Sequence, residues 1–149
     1  MKKLALAVSI LCLTATGVAA ADDPIAVRKA IMQANAASAG LAGAMLKREI
    51  DYNPVIARAA ILTLAASAKT FGDYFPDGSN DGDTTAAPAI WENAEGFQAA
   101  LDKYVSDTAA AVEAAGKDGP ADLPAFQAAI GPVFGNCKSC HETFRIQKN

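Results

Sequence analysis

Apolar residues recur at helical spacing in four stretches of the chain, and the segments between them are rich in glycine, proline and aspartate. The predicted helices run from about residue 23 to 49, from about 54 to 72, from near Pro88 to Gly116, and from just after Asp122 to about Gln147. No run of alternating valine, isoleucine and threonine indicates a strand. Four amphipathic helices joined by shortish loops predict an all-α fold, an antiparallel four-helix bundle with axes about 20° from parallel.

Capping residues support the starts of three of these helices. Asp22 or Asp23 can cap the first helix, Asn53 the second and Asp122 the fourth. Prolines follow the first two caps, at Pro24 and Pro54, where a first helical turn tolerates a missing backbone donor.

The fourth predicted helix carries the residues with the most distinctive chemistry. Its apolar stripe also contains two cysteines and a histidine, and its members are Phe126, Ile130, Val133, Phe134, Cys137, Cys140, His141 and Phe144. This spacing places all eight on one broad helical face, which we expect to point into the bundle.

The N-terminal residues predict a secretory signal peptide. Two lysines precede an apolar run over residues 4–18, and three alanines follow at residues 19–21. The run is short for a membrane span. Cleavage is expected after Ala20 or Ala21, so residues 1–20 are the signal and residues 21–149 form a single domain. Cys12 lies inside the apolar run and leaves with the signal.

The charge of the chain argues against nucleic acid as a partner. The formal net charge is −3, and loss of the two N-terminal lysines makes it more negative still. There is no basic block that could bind a phosphate backbone. About 128 residues remain after processing, enough for one domain with a substantial core.

The stretch FGNCKSCHETFR contains Cys137, Cys140 and His141, the only cysteines and histidine left after processing. A structural zinc ion wants four ligands, and adjacent Cys140 and His141 point about 100° apart on a helix. A thioredoxin-like pair sits at a helix N-terminus after a strand, whereas this pair lies late in a helix. A disulfide would suit an exported protein but would close only a very small loop.

C-x-x-C-H is the attachment sequence of c-type haem. Two thiols one turn apart can reach the two vinyl groups on one edge of the porphyrin, and the histidine can bind the iron. Export fits this interpretation, because haem c is attached outside the bacterial cytoplasm. The stretch therefore predicts one haem c bound covalently through Cys137 and Cys140, with His141 as an axial ligand of the iron.

The mature chain, over essentially its whole length, resembles the class II c-type cytochromes, the cytochrome c′ and cytochrome c556 family. The resemblance rests on CKSCHETFR near the C-terminus and on FPDGSNDGDTTAAPAIW over residues 75–91. It also rests on AVRKAIM and LKREIDYNP, in and after the first helix. It implies a left-handed four-helix bundle with haem between the helices, thioether links at Cys137 and Cys140, and His141 as the proximal ligand.

The resemblance also implies roles for three residues outside the motif. Arg28 matches an arginine that approaches a haem propionate, and Arg145 would lie beside His141 and the haem edge. Met32 falls where the family places its distal residue. Two outcomes are known there: the thioether of Met32 binds the iron, as in cytochrome c556, or the side chain only crowds the distal face, as in cytochrome c′.

These features predict a haem-binding electron carrier rather than an enzyme, in the periplasm of a Gram-negative bacterium. The alternative within the family is a five-coordinate, high-spin cytochrome c′ that binds nitric oxide or carbon monoxide. A more distant alternative is a haem-free C-x-x-C thiol or metal-binding protein. The expected partners are periplasmic redox proteins of unknown identity and a second copy of the chain, paired through the first two helices.

Overall fold

The structure, a computed structural model, describes residues 23–147. The predicted signal peptide therefore lies outside the described residues. Within this range the chain forms helices and no strand. They are α1 (Pro24–Leu46), α2 (Pro54–Thr70), a 3-10 turn (Phe71–Tyr74), α3 (Ala89–Glu92), α4 (Ala94–Ala115) and α5 (Leu123–Phe144).

The four long helices form a bundle. Helix α1 packs on α2, α2 on α4, and α4 on α5, whereas α1 and α5 contact each other much less. Because helices that follow each other in the chain pack side by side, neighbouring helices run antiparallel. The all-α, antiparallel four-helix bundle predicted from the sequence is confirmed, and the loosest contact lies between α1 and α5.

The predicted caps are confirmed in the structure. The Oδ1 of Asp23 accepts a hydrogen bond from the backbone nitrogen of Ile25, at 2.9 Å, at the start of α1. Asn53 caps α2 and Asp122 caps α5 in the same way. These side chains satisfy backbone donors that a helix start leaves unpaired.

The predicted helix boundaries differ from the observed ones at three places. The third predicted helix is broken at Asn93, whose side chain accepts a hydrogen bond from the backbone nitrogen of Gly96 and so begins α4 anew. Helix α1 ends at Leu46 rather than near residue 49, since Arg48 adopts a φ of 61°. Helix α5 ends at Phe144 because the next residue has an extended backbone.

Two groups of side chains form the core. The main core fills one end of the bundle and contains Ala42, Met45, Ala57, Ala60, Ile61, Leu64, Ala111, Ala115, Phe126, Ile130 and Val133. We call the second group the aromatic cluster; it contains Phe71, Ile90, Phe97, Leu101 and Phe144, with Phe75 and Trp91 packed against it. The aromatic cluster borders a cavity between α1 and α5.

The segment Pro54–Tyr74 is long and apolar enough, by length and composition, to cross a membrane. Within α2, however, Ala57, Ile61 and Leu64 belong to the main core. Packing inside the bundle accounts for the apolar residues on this face of α2.

Candidate cofactor site

A cavity of about 400 Å³ lies between α1 and α5, which pack more loosely on each other than the other neighbouring helices do. Its size is within the range of small-molecule and cofactor pockets. The residues proposed from the sequence all line it: Arg28, Met32, Cys137, Cys140, His141 and Arg145. The fold thus brings together two groups of residues that lie more than a hundred positions apart in the chain.

One face of α1 forms one wall of the cavity. Ile25, Arg28, Met32, Asn35 and Ala39 follow each other at intervals of three or four residues and all line it. This is the spacing that places side chains on a single helical face. Met32 also packs against the aromatic cluster.

Cys137 and Cys140 lie one turn apart on α5, both half-buried and both free thiols. Burial is the main cause that raises the pKa of each thiol. Both cysteines are therefore protonated near neutral pH, unlike the low-pKa thiolate of a redox-active pair. The Sγ of Cys137 makes only a long contact, 3.5 Å, with the carbonyl oxygen of Val133.

His141 follows directly on the same helix and is half-buried. Burial, and then the positive charge of Arg145, lower the pKa of its imidazole. The neutral imidazole is the form that can bind a metal ion. In residues 23–147, no group of three or more His, Cys, Asp or Glu side chains is arranged to hold a metal ion.

An aromatic wall covers the cavity next to the loop between the 3-10 turn and α3. Phe75 lies edge-on to Phe71 and to Phe97, with ring centroids 5.0 and 4.8 Å apart. Phe97 in turn lies edge-on to Phe144 of α5, at 5.3 Å. Edge-to-face contacts of this kind are favourable beyond their buried area, so they hold the wall together.

Two side chains with buried polar atoms, Asn35 and Tyr104, interrupt the apolar lining. The Oδ1 of Asn35 and the hydroxyl of Tyr104 have no hydrogen-bond partner within residues 23–147. Buried polar atoms are normally paired, which indicates that the cavity holds something further. Burial raises the pKa of the Tyr104 hydroxyl, so this group remains an uncharged donor.

The residues present fit haem c. Two protonated thiols one turn apart and a neutral imidazole line an apolar cavity with polar atoms still to be paired. This donor set matches thioether attachment and axial ligation.

The two predicted arginines have different surroundings. Arg145 is exposed and lines the cavity. Arg28 is only 5% exposed, and its guanidinium donates hydrogen bonds to the loop that follows Tyr74. Those bonds to the loop were not predicted from the sequence.

Asn136 is a further cavity residue that the sequence analysis missed. It is 4% exposed, directly precedes Cys137, and donates from Nδ2 to the Oδ2 of Asp107 on α4, at 2.8 Å. The same carboxylate oxygen accepts a hydrogen bond from Lys103 at 2.6 Å. The sequence held one signal for this residue, an asparagine beside an apolar helical stripe, because an amide buried at such a position needs a hydrogen-bond partner.

The bundle and the C-x-x-C-H stretch on its cavity wall together define a helical c-type cytochrome. The family model described as Cytochrome C′ matches residues 23–145, and the chain belongs to that family.

Known relatives with similar sequences carry the names of this family. Cytochrome c-556 of Agrobacterium fabrum is 34% identical over 152 residues, covering 99% of this chain and 97% of that protein. Cytochrome c′ of Rhodopseudomonas palustris is 37% identical over 131 residues, covering 87% and 86%. A solved structure of cytochrome c′ from Rhodopseudomonas palustris superposes with a TM-score of 0.77 at 34% identity, covering 85% of this chain and 98% of that one.

The predicted family and the predicted cofactor are confirmed. Proteins of this family bind haem c, and the chain has the two cysteines, Cys137 and Cys140, in its C-terminal region. The relatives are cytochromes, and the family is periplasmic in Gram-negative bacteria.

Proposed function

We propose that this protein is an exported, periplasmic electron carrier in which one haem c lies between α1 and α5. The observation that carries the proposal is the shared cavity: Met32 lines it from α1, and His141 lines it from α5 beside Cys137 and Cys140. Bound haem c supplies an iron that gains and loses one electron. The lining side chains would hold this group and exclude water from it, with His141 and Met32 on its opposite faces.

Each residue of α5 has a distinct task in this proposal. Cys137 and Cys140 would hold the porphyrin edge, because their one-turn separation suits two links to one side of a flat ring. His141, the next residue, would bind the iron through its neutral imidazole. Arg145 lines the same cavity, where its charge favours the neutral imidazole.

Met32 would face the iron from the side opposite His141. It faces the cavity on the same side of α1 as Arg28 and Asn35, and it is the methionine that lines this cavity. A thioether bound to the iron leaves no free position and favours electron transfer. We assign Met32 this role and Arg28 a place next to a haem propionate.

A second candidate function rests on the packing of Met32. Its side chain packs on the aromatic cluster, so it can crowd the iron without binding it. The iron would then be five-coordinate and high-spin, with an apolar pocket suited to nitric oxide or carbon monoxide. Relatives named cytochrome c′ and relatives named cytochrome c-556 are both similar to this chain, so the spectrum of the protein has to separate the two functions.

The attachment test uses the mature chain exported from a strain able to attach haem c. We expect the intact mass to exceed that of residues 21–149 by one haem, with an absorption spectrum of haem c. Cys137→Ser and Cys140→Ser should each lose one thioether link, whereas Ser139→Ala, between them, should leave attachment unchanged. A wild-type chain without haem bands contradicts the proposal and favours a haem-free thiol protein.

We also propose that two copies pair through α1 and α2. Leu41 of α1 and Val55, Ile56 and Leu62 of α2 are exposed apolar side chains, which interfaces commonly bury. One solved cytochrome c′, 28% identical with a TM-score of 0.74, is described as having an unusual ligand-controlled dimer dissociation.

Sedimentation velocity tests this pairing. We expect Leu41→Lys to lower the sedimentation coefficient to that of a monomer, while Ile146→Lys, an exposed apolar residue beyond α5, leaves it unchanged. A wild-type chain that sediments as a monomer at all concentrations contradicts the pairing.

A further inference from the structure

Arg28 is a buried cation whose hydrogen-bond partners all belong to one loop. Its Nη1 donates to the carbonyl oxygen of Tyr74 and to the hydroxyl of Ser79, each at 2.8 Å. Its Nη2 donates to the carbonyl oxygen of Ser79 at 2.7 Å and to Thr84 Oγ1 at 3.4 Å. The guanidinium carbon also lies 4.6 Å from the ring centroid of Phe75. Only a planar fork of donors can make this set of bonds.

These contacts fix the loop over the cavity. Ser79 is only 6% exposed although it lies in a segment without regular structure. Phe75, held against the guanidinium, contacts Phe71 and Phe97 and lines the cavity. Arg28 therefore holds one wall of the site as well as facing it.

The far end of the same loop is joined to the end of α5. The backbone nitrogen of Ala87 donates to the carbonyl oxygen of Phe144 at 3.0 Å, and the backbone nitrogen of Ile146 donates to Thr85 at 2.8 Å. These bonds flank an antiparallel bridge between Ala86 and Arg145.

Two connections thus lead from Arg28 to the last turn of α5. One runs through Thr84, whose Oγ1 accepts from Arg28 and from the backbone nitrogen of Ala86. The other runs through the rings of Phe75, Phe97 and Phe144. Phe144 lies three residues after His141, so both connections end on the helical turn that carries the imidazole.

We propose that Arg28 is a positioning residue that, through the loop of residues 74–87, sets the orientation of the α5 turn bearing His141. This role is separate from any contact with a haem propionate. It rests on the proposed function only in taking His141 as the proximal ligand. The geometry that carries it consists of bonds between described residues.

Two substitutions separate the loop role from a direct haem contact. Arg28→Met removes the donors but keeps an apolar stem, whereas Ser79→Ala leaves Arg28 intact and removes one acceptor from the loop. The matched controls are Arg58→Met, a half-buried arginine that donates to the carbonyl oxygen of Gly116, and Ser67→Ala, a buried serine bonded within its own helix. All are made in the mature, haem-loaded chain.

The first readout is hydrogen exchange at the backbone amides of Ala87 and Ile146. We expect Arg28→Met and Ser79→Ala each to speed exchange there by about tenfold or more, since the bridge opens when the loop loosens. This readout uses bonds of the chain alone, so it reports on the loop whether or not His141 binds the iron.

The second readout is the iron–histidine stretching band of the ferrous protein, measured with every variant built on Met32→Ala so that the iron is five-coordinate throughout. We expect both substitutions to shift this band in the same direction, and the double variant to shift it no further than Arg28→Met alone. The controls should shift neither readout. If Arg28→Met fails to fold, Ser79→Ala carries the test.

Two results would overturn the proposal. One is unchanged exchange and an unchanged band in Ser79→Ala, which would restrict Arg28 to a direct haem contact. The other is faster exchange with an unmoved band, which would make the loop structural only. If the five-coordinate Met32→Ala parent shows no iron–histidine band, the assignment of His141 fails instead, and the exchange data distinguish that failure.

Discussion

Removing the amide of Asn136 tests how the cysteine-bearing helix is held against its neighbour. Asn136 on α5 is buried, and its Nδ2 donates to the Asp107 carboxylate on α4 at 2.8 Å. Asp107 also accepts a hydrogen bond from Lys103 at 2.6 Å. Asn136→Ala keeps the helix but breaks the only bond of this network that crosses from α5 to α4.

The magnitude follows from the charge of the acceptor. A hydrogen bond to a charged group contributes about 1.5–3 kcal/mol to stability. Because the amide is buried while Asp107 stays partly accessible to water and paired with Lys103, the variant leaves no stranded buried charge. We therefore expect Asn136→Ala to lower the free energy of unfolding by about 2 kcal/mol at neutral pH.

The loss should depend on pH in a defined direction. The hydrogen bond from Lys103, followed by that from Asn136, lowers the pKa of the Asp107 carboxyl. A carboxyl with a lowered folded-state pKa contributes stability that is present above its unfolded pKa, about 3.9, and is lost as pH falls through the folded-state pKa. The difference in the free energy of unfolding between wild type and variant should be largest above about pH 5 and should decrease as the pH falls below about 4.

Urea unfolding at several pH values measures this difference. Ser139→Ala, an exposed position three residues further along α5, is the control and should change stability little. A double-mutant cycle with Asp107→Ala should show that Asn136→Ala costs much less when the carboxylate is gone. An equal loss at pH 7 and at low pH, or a loss independent of Asp107, would show that the bond between Asn136 and Asp107 is not its source.

Two further stability predictions concern packing. Met45→Ala should lower the free energy of unfolding by about 2–5 kcal/mol, because the Met45 side chain is 1% exposed in the main core. Leu41→Ala, at a position that is 49% exposed, should lower it far less. Equal losses in urea unfolding would contradict the assigned core. Gly119→Ala should destabilise more than Gly116→Ala: both have positive φ, but a Cβ at Gly119 would collide with the carbonyl oxygen of Pro54, whereas Gly116 has open space. A reversed order in thermal unfolding would contradict this packing.

The sequence predicts the bundle well because its determinants are local. The caps Asp23, Asn53 and Asp122 and the apolar spacing of each helix depend on neighbours a few residues away. The break at Asn93 was missed since the apolar pattern continues across it, while the amide of that residue caps a new helix. The asparagine was a local signal for a new helix start, but the apolar periodicity on both sides of it predicted one unbroken helix.

The surroundings of the site were less predictable. The C-x-x-C-H spacing identifies the cysteines and the histidine, whereas Met32 and Arg28 enter only through the family resemblance. The bonds from Arg28 join residues 46 to 56 positions apart, and the Asn136 bond spans 29. Such contacts depend on how whole helices pack, which no local pattern in the chain specifies.

The absorption spectrum of the ferric protein, compared with that of Met32→Ala, shows whether Met32 binds the iron. We expect a low-spin spectrum for the wild type that becomes high-spin when the thioether is removed. Met45→Leu, which changes a methionine in the main core, should leave the spectrum unchanged. A wild-type spectrum that is already high-spin, and that Met32→Ala does not alter, would contradict axial binding by Met32 and favour the gas-binding alternative.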